Sequence, residues 1–301
     1  MTEQTTLPPT AVDKLTITEP DAYAGFPEAA YHDDPVPGGS LSSTGARKLL
    51  DTCPAKFRWW ADHREPYKQV FEEGKAAHRK TLGVGPDLVV VEGDGKKGPE
   101  VWDTDRVKAR VAEVRDAGNV PLKPSQMAMV DAMHDALLAE PMARPLLDPD
   151  QGATELSLFW RRGTVWGRGR IDRLTKLRSG RPVIVDYKTC ASAAQADVVK
   201  AIARYGLHIQ GAFYLAGAVA LGMVPEDAGY LLLMQEKEPP YLATVVEPDF
   251  AAMRMGAIRT RQAFDLFAEC AASGRWPGYA EDVVLAELPP WETRELNGAI
   301  W

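Results

Sequence analysis

The sequence predicts an α/β domain, and three observations carry that prediction. Three short β-branched or aromatic runs, ATELSLFWRR, TVWGRGRIDRLTKL and RPVIVDYKT, follow one another with only RG and RSG turn signals between them. A long stretch of helical period comes next, then two more strand-like runs, AGYLLLMQ and YLATVVEP, and a last helical segment. Strand-strand-strand-helix-strand-strand-helix, preceded by helical segments, is the order of a central sheet flanked by helices, with a helical attachment at the N-terminal side.

The elements follow in chain order. Residues 1–40 are rich in Pro, Gly and Thr without an apolar period, and read as an extended arm. Ser42-Ser43-Thr44 caps a helix in ARKLLDTCPAKFRWW, and Pro54 opens a second turn or helix. Val70 to Leu82 reads as a helix, and so does Ser125 to Leu138. Between them, residues 83–124 hold many Gly, Pro and charged residues; the expectation is an irregular insertion with one short helix near Arg106–Asp116. After the three strands, Ala193 to Leu221 reads as a single long helix with Val199, Ile202, Ile209, Phe213 and Ala216 on one face. Asp249 to Ser273 is the final helix, so one domain is expected over 41–273, with 274–301 as an irregular tail.

Composition bounds the function. The 301 residues, 45% hydrophobic and 26% charged, suit a soluble globular protein with one sizeable core. No apolar run reaches membrane-spanning length, and the polar N-terminus lacks a signal pattern, so the expected location is cytoplasmic. Cys53, Cys190 and Cys270 are odd in number and far apart, which argues against a disulfide framework or a cysteine metal site. The net charge of -7 argues against a general nucleic-acid coat. Yet Arg161 to Arg204 holds eleven Lys/Arg against Asp172, Asp186 and Asp197 alone. A basic zone on an acidic body suits a protein that grips phosphates at one place, and equally a solvated Arg-rich hairpin.

The chemistry centres on that zone. Alternation along VIVDYKT puts Ile184, Asp186 and Lys188 on one face of a strand. The carboxylate can hold a hard cation and the ammonium can stabilise phosphate charge. Asp172 in GRGRIDRL must join them. A two-residue Ser179–Gly180 turn would set it opposite Tyr187, on the wrong face; a three-residue connection or a bulge corrects the parity. Taken alone, Asp172 and Lys188 read as readily as a cross-strand salt bridge. Gly74 and His78 in GKAAH lie four apart on a helix, where His78 can add a nitrogen ligand or be an ordinary histidine. Gln210 and Tyr214, again four apart, can point back at the site or form a polar-face pair. Glu155, opening TELSLFW, can support a second metal or cap the sheet edge.

The set GKAAH, TELSLFW, GRGRIDRL, VIVDYKT and QGAFY, in this order, resembles the phage and prophage RecE-type exonucleases (exodeoxyribonuclease VIII), in the RecB-like branch of the PD-(D/E)XK nucleases. LSSTGARKLLDTCPAKFRWW is also similar to the N-terminal helices of that branch. The resemblance covers about residues 40 to 270. It implies a restriction-endonuclease-like core with a mixed sheet. It further implies His78, Asp172, Asp186 and the Tyr187 carbonyl as metal ligands, Lys188 as the catalytic lysine, and Gln210 and Tyr214 as a QxxxY motif. The activity implied is metal-dependent hydrolysis of DNA from duplex ends, 5′-to-3′, leaving 3′ single strands for an annealing recombinase. Some members of the branch form homo-oligomeric rings.

Two carboxylates and a phosphate substrate favour one or two Mg²⁺ ions, with Mn²⁺ able to substitute, over zinc. Arg161, Arg162, Arg168 and Arg170 are the candidates for DNA backbone contacts. The sequence departs from the family pattern in having Asp186 where the motif nominally has Glu, and in lacking the closing cysteines of an iron–sulfur subgroup. A P-loop, GxSxG and HExxH are absent. The rival readings are a flap or single-strand nuclease of the same fold, and a DNA-binding recombination scaffold without catalysis.

Overall fold

A computed structural model describes residues 5–6, 15–63 and 72–292. Its centre is an eight-stranded mixed sheet. In chain order the elements before the sheet centre are β1 (Thr5–Thr6), β2 (Asp21–Ala24), α1 (Glu28–His32), β3 (Leu41–Ser42), α2 (Ser43–Asp51), α3 (Pro54–Asp62) and α4 (Glu72–Leu82). Next come β4 (Leu88–Val90), α5 (Asp105–Asp116), β5 (Val120–Leu122) and α6 (Pro124–Ala139). The rest are β6 (Ala153–Arg162), β7 (Val165–Lys176), β8 (Pro182–Cys190), α7 (Gln195–Tyr205), α8 (Leu207–Ala220), β9 (Gly229–Glu236), β10 (Ala243–Val246) and α9 (Phe250–Ser273). The sheet runs β1-β2-β6-β7-β8-β9-β10, with β3 paired to β7.

Of the two connections that would correct the parity, the β7–β8 hairpin has the three-residue one. Arg173 pairs with Val185 and Lys176 with Pro182, and Leu177 donates to the Arg181 carbonyl around Arg178-Ser179-Gly180. Gly180 takes a φ of +84°, the left-handed turn that closes such a loop. Beyond Arg173–Val185 the two strands part. β8 continues parallel to β9, and β3 pairs with β7 from Gly167 to Arg168. The site forms where the ladder opens.

Three expectations change. Residues 15–40 are no loose arm: β2 pairs antiparallel with β6, and Ile17, Phe26 and Val36 bury against Phe159 and Trp166. Their apolar residues are irregularly spaced, so no period reveals them. The 83–124 insertion is ordered too, because β4 and β5 pair in parallel across α5 and enclose Val91, Val107, Val111 and Val114. The long helix after β8 is two helices. Gly206, at φ +61°, breaks it and shifts the buried face, so Val198 and Ile202 are buried while Val199 and Ala216 are exposed.

Glycines let the helices lie close on the sheet. A Cβ on Gly169 of β7 would sit 3.0 Å from the Tyr214 ring, and one on Gly211 would sit 2.3 Å from the Tyr230 ring. The main core, around Trp160, Phe213 and Phe264, fixes α8 and α9 against this face. Among the described residues no helix is long and apolar enough to cross a membrane.

Candidate metal centre

Three adjacent strands present a row of carboxylates. Glu155 lies between the Thr154–Arg173 and Leu156–Ile171 pairs, opposite Asp172. The β7–β8 register, carried one step past Arg173–Val185, sets Asp172 opposite Asp186. Residues opposite each other in an antiparallel ladder share a face. The pleat slips at this point: Ala153 and Leu156, three apart, pack on the same core, as do Ile171 and Leu174. Glu155 takes a φ of 53°, a conformation that costs a non-glycine residue about 1–3 kcal/mol and clusters at functional sites.

Helix α4 brings the imidazole. His78 Nε2 is 3.2 Å from Asp172 Oδ1, and its Nδ1 is 3.2 Å from Glu155 Oε1. His78, Glu155 and Asp172 offer ligand atoms all within 4.8 Å of one another, a set that suits a metal ion. Asp186 stands outside that group. Its Oδ2 lies 2.7 Å from Lys188 Nζ; its side chain is 1% exposed, against 33% for Lys188. The Lys188 ammonium is the close donor to Oδ2, while Oδ1 is buried without a hydrogen-bond partner. A buried carboxylate with one oxygen unpartnered is costly, and a cation beside it relieves the cost. The residues therefore fit a divalent ion.

Electrostatics divide the carboxylates. Burial alone would raise the Asp172 pKa, but His78, Lys188 and the Tyr187 amide, which donates to Oδ2 at 2.8 Å, outweigh it and hold Asp172 below the usual value. Asp186 is pushed up by burial and by Asp172, against the pull of Lys188. Burial likewise raises Glu155. Burial opposes charge on His78 and Lys188, yet the carboxylates win at both and raise their pKa values. Lys188 is thus an ammonium at neutral pH.

The remaining expected residues distribute as follows. Gln210 Nε2 donates to the Tyr214 hydroxyl at 2.9 Å, and both line a cleft of about 1580 Å³ together with His78, Glu155 and Asp172. Tyr187 turns its ring to the opposite side, where its hydroxyl donates to Gln235 at 2.6 Å; its carbonyl lies between Asp186 and Lys188 along β8. Arg168 and Arg170 line the cleft, but protein partners already hold their guanidiniums. Arg168 is buried against Asp34 and donates to Ser40 Oγ at 2.9 Å. Arg170 donates to Ser157 and to the Phe26 carbonyl, at 3.0 and 2.6 Å, with Tyr31 stacked below at 4.6 Å. These two arginines tie the N-terminal segment to the sheet. Arg161 and Arg162 are exposed at the β6–β7 hairpin tip, about 20–23 Å along the strand from Glu155. They can meet only a distant part of a substrate.

Sequence reading missed several cleft residues. Tyr31 and Asp34 come from the segment without a period, while Lys48 and Lys75 arrive on helices. Tyr230 is buried one strand beyond β8; burial first, then the charge of Asp186, keeps its phenol protonated. Only the bulk-excluding pair Gly211–Tyr230 hints at it, and that pairing needs coordinates.

Comparison with known proteins agrees with this geometry. Residues 41–275 match a family described as the PD-(D/E)XK nuclease superfamily. No curated protein matches. Among solved structures, the Eubacterium rectale protein called "Putative exonuclease" superposes with a TM-score of 0.55 at 12% identity, covering 91% of this chain and 96% of that one. Protein VC1899 from Vibrio cholerae gives a TM-score of 0.24 at 11% identity, covering 84% and 58%. The first shares the fold; the second likeness is too low to argue from. With a match over most of its length, and a sheet that opens at a carboxylate row beside a lysine, the chain belongs to the PD-(D/E)XK nuclease superfamily.

Proposed function

We propose that this chain is a metal-dependent exodeoxyribonuclease that hydrolyses duplex DNA from its ends. The observation that carries the reading is the convergence of His78, Glu155 and Asp172 within 4.8 Å beside the Asp186–Lys188 pair. His78, Asp172 and Glu155 would hold one divalent ion, with Asp186 next in the row and available to the same or a second ion. Oxygen-rich ligation and a phosphate substrate favour Mg²⁺, with Mn²⁺ as a substitute. When bound, the ion lowers the pKa of a water and offsets charge on the phosphate.

The chain's own groups do the rest. Lys188, kept protonated by Asp186 and Asp172, is a donor that orients the attacking water and stabilises charge on the phosphoryl oxygens. Tyr214, held by Gln210 over Gly169, walls the cleft and positions the strand. The RecE-type motif order supports 5′-to-3′ polarity and supply of 3′ single strands to an annealing recombinase.

The test is digestion of an end-labelled linear duplex beside its covalently closed circle, with Mg²⁺ and with chelator. Mg²⁺-dependent loss of the linear form alone is expected, releasing label first from 5′ ends. Cutting of the circle would replace the exonuclease reading with an endonuclease one.

A further inference from the structure

A second cavity, of about 410 Å³, opens at the break between α7 and α8. Arg47 and Asp51 of α2, Arg204 at the end of α7, and Arg259 of α9 line it. Three guanidiniums thus face one carboxylate, Asp51, which Arg259 holds at 2.8 Å. Arg47 donates to the Tyr205 carbonyl, yet its Nε is buried without an acceptor. Gly206 permits this approach, because a Cβ there would lie 2.8 Å from Arg47 Cδ. The fourteen-residue helix α8 begins at the same point with no side-chain cap. Its first amides add partial positive charge to that of the arginines.

The cavity adjoins the catalytic cleft through shared elements. On α2, Thr44, Gly45 and Lys48 line the cleft while Arg47 lines the second cavity. On α8, Gln210 and Tyr214 line the cleft and Gly206, His208 and Ile209 the cavity, and Gly206 and Gln210 are about one helical turn apart along the axis. The two openings thus share α2 and α8 as walls.

We infer that this cavity binds a backbone phosphodiester of the DNA strand held in the catalytic cleft, with Arg204 as its principal donor and with Arg47 and Arg259, which also hold the Tyr205 carbonyl and Asp51, adding positive charge. The inference rests on the nuclease reading of the adjoining site. Its contribution is to affinity and strand placement, since phosphate contacts carry no base information.

The test measures binding without cleavage. Fluorescein-labelled duplex oligonucleotides, with a 5′-phosphate or a 5′-hydroxyl, are titrated with the full chain in chelator over a range of NaCl. Arg204→Glu should weaken binding about tenfold and lower the salt slope by about one, while Arg204→Lys restores most of the loss. Arg259→Ala should act in the same direction. Arg178→Glu, at the β7–β8 hairpin tip, imposes the same charge change elsewhere and should alter affinity less than about twofold. Arg204→Glu behaving like Arg178→Glu would overturn the site. A loss seen only with 5′-phosphorylated ends would also overturn it, assigning the cavity to a terminal monoester. A chain that binds DNA through these arginines but fails to cut with Mg²⁺ would sink the nuclease reading and leave this site standing.

Discussion

Glu155 stands opposite Asp172 across the β6–β7 ladder, and it does so in a left-handed conformation with a φ of 53°. The two carboxylates are bridged by one imidazole, His78, at 3.2 Å to each. A strained residue inside a strand, facing a like charge, is poor design for stability and good design for holding a cation.

Substituting Glu155 separates those two roles. Glu155→Gly should remove the left-handed penalty and, in chelator, match or exceed wild-type thermal stability by up to about 1 kcal/mol. The same variant should bind Mn²⁺ about tenfold or more weakly by calorimetric titration. Unchanged Mn²⁺ affinity would remove Glu155 from the ligand set.

Lys188→Ala should lower cleavage by about 10²–10³-fold, in line with loss of one preorganised donor. DNA affinity in chelator should stay within about twofold, and the circular dichroism spectrum should be unaltered. Cleavage at the wild-type rate would show that the ammonium beside Asp186 takes no part in the chemistry.

The apo protein should lose stability as pH rises. His78 has a raised pKa in the fold, so its contribution is complete below the unfolded value of 6.5 and is lost as pH climbs through the folded value. Glu155 and Asp186 are also raised, and their ionisation on going up in pH acts in the same direction. Asp172 is lowered, so its stabilising effect is lost only at acid pH, below 3.8. Melting temperatures in chelator should therefore fall from pH 6 to pH 8, and added Mn²⁺ should cancel the fall by competing with protons at these groups. His78→Gln should flatten the slope above pH 6.5. A slope that persists in that variant would assign the effect to other groups.

Gly169→Ala would place a Cβ 3.0 Å from the Tyr214 ring and displace the residue that Gln210 holds. A destabilisation of about 1–3 kcal/mol is expected from overpacking, together with a kcat loss larger than any rise in KM. Gly211→Ala, which meets the Tyr230 ring at 2.3 Å, should be the more damaging in urea denaturation. Equal, negligible effects would mean that α8 can lift from the sheet without consequence.

Strand order, the hairpin parity and the D…DxK spacing were legible in the sequence because period-2 alternation and turn chemistry are local. Alternation put Asp186 and Lys188 on one face, and the parity of Asp172 required a three-residue connection or a bulge, of which the structure has the first. Helical spacing likewise paired Gln210 with Tyr214. What stayed hidden depends on contacts distant in the chain. Arg168 looks like a phosphate ligand until Asp34 and Ser40, 134 and 128 residues away, are found against it. The α7–α8 break turns on Gly206, which helical period alone reads through.

The sequence by itself determined the order of the strands from β6 to β10, the families of residues able to carry charge to one sheet face, and the lysine beside its aspartate. Only the tertiary structure decided that Glu155 joins His78 and Asp172 more closely than Asp186 does, and that residues 15–40 complete the sheet. The reason is physical. Side-chain direction within an element follows from backbone period. Which charges share a site is set by register across strands, by a local slip in the pleat, and by helices docked from far along the chain.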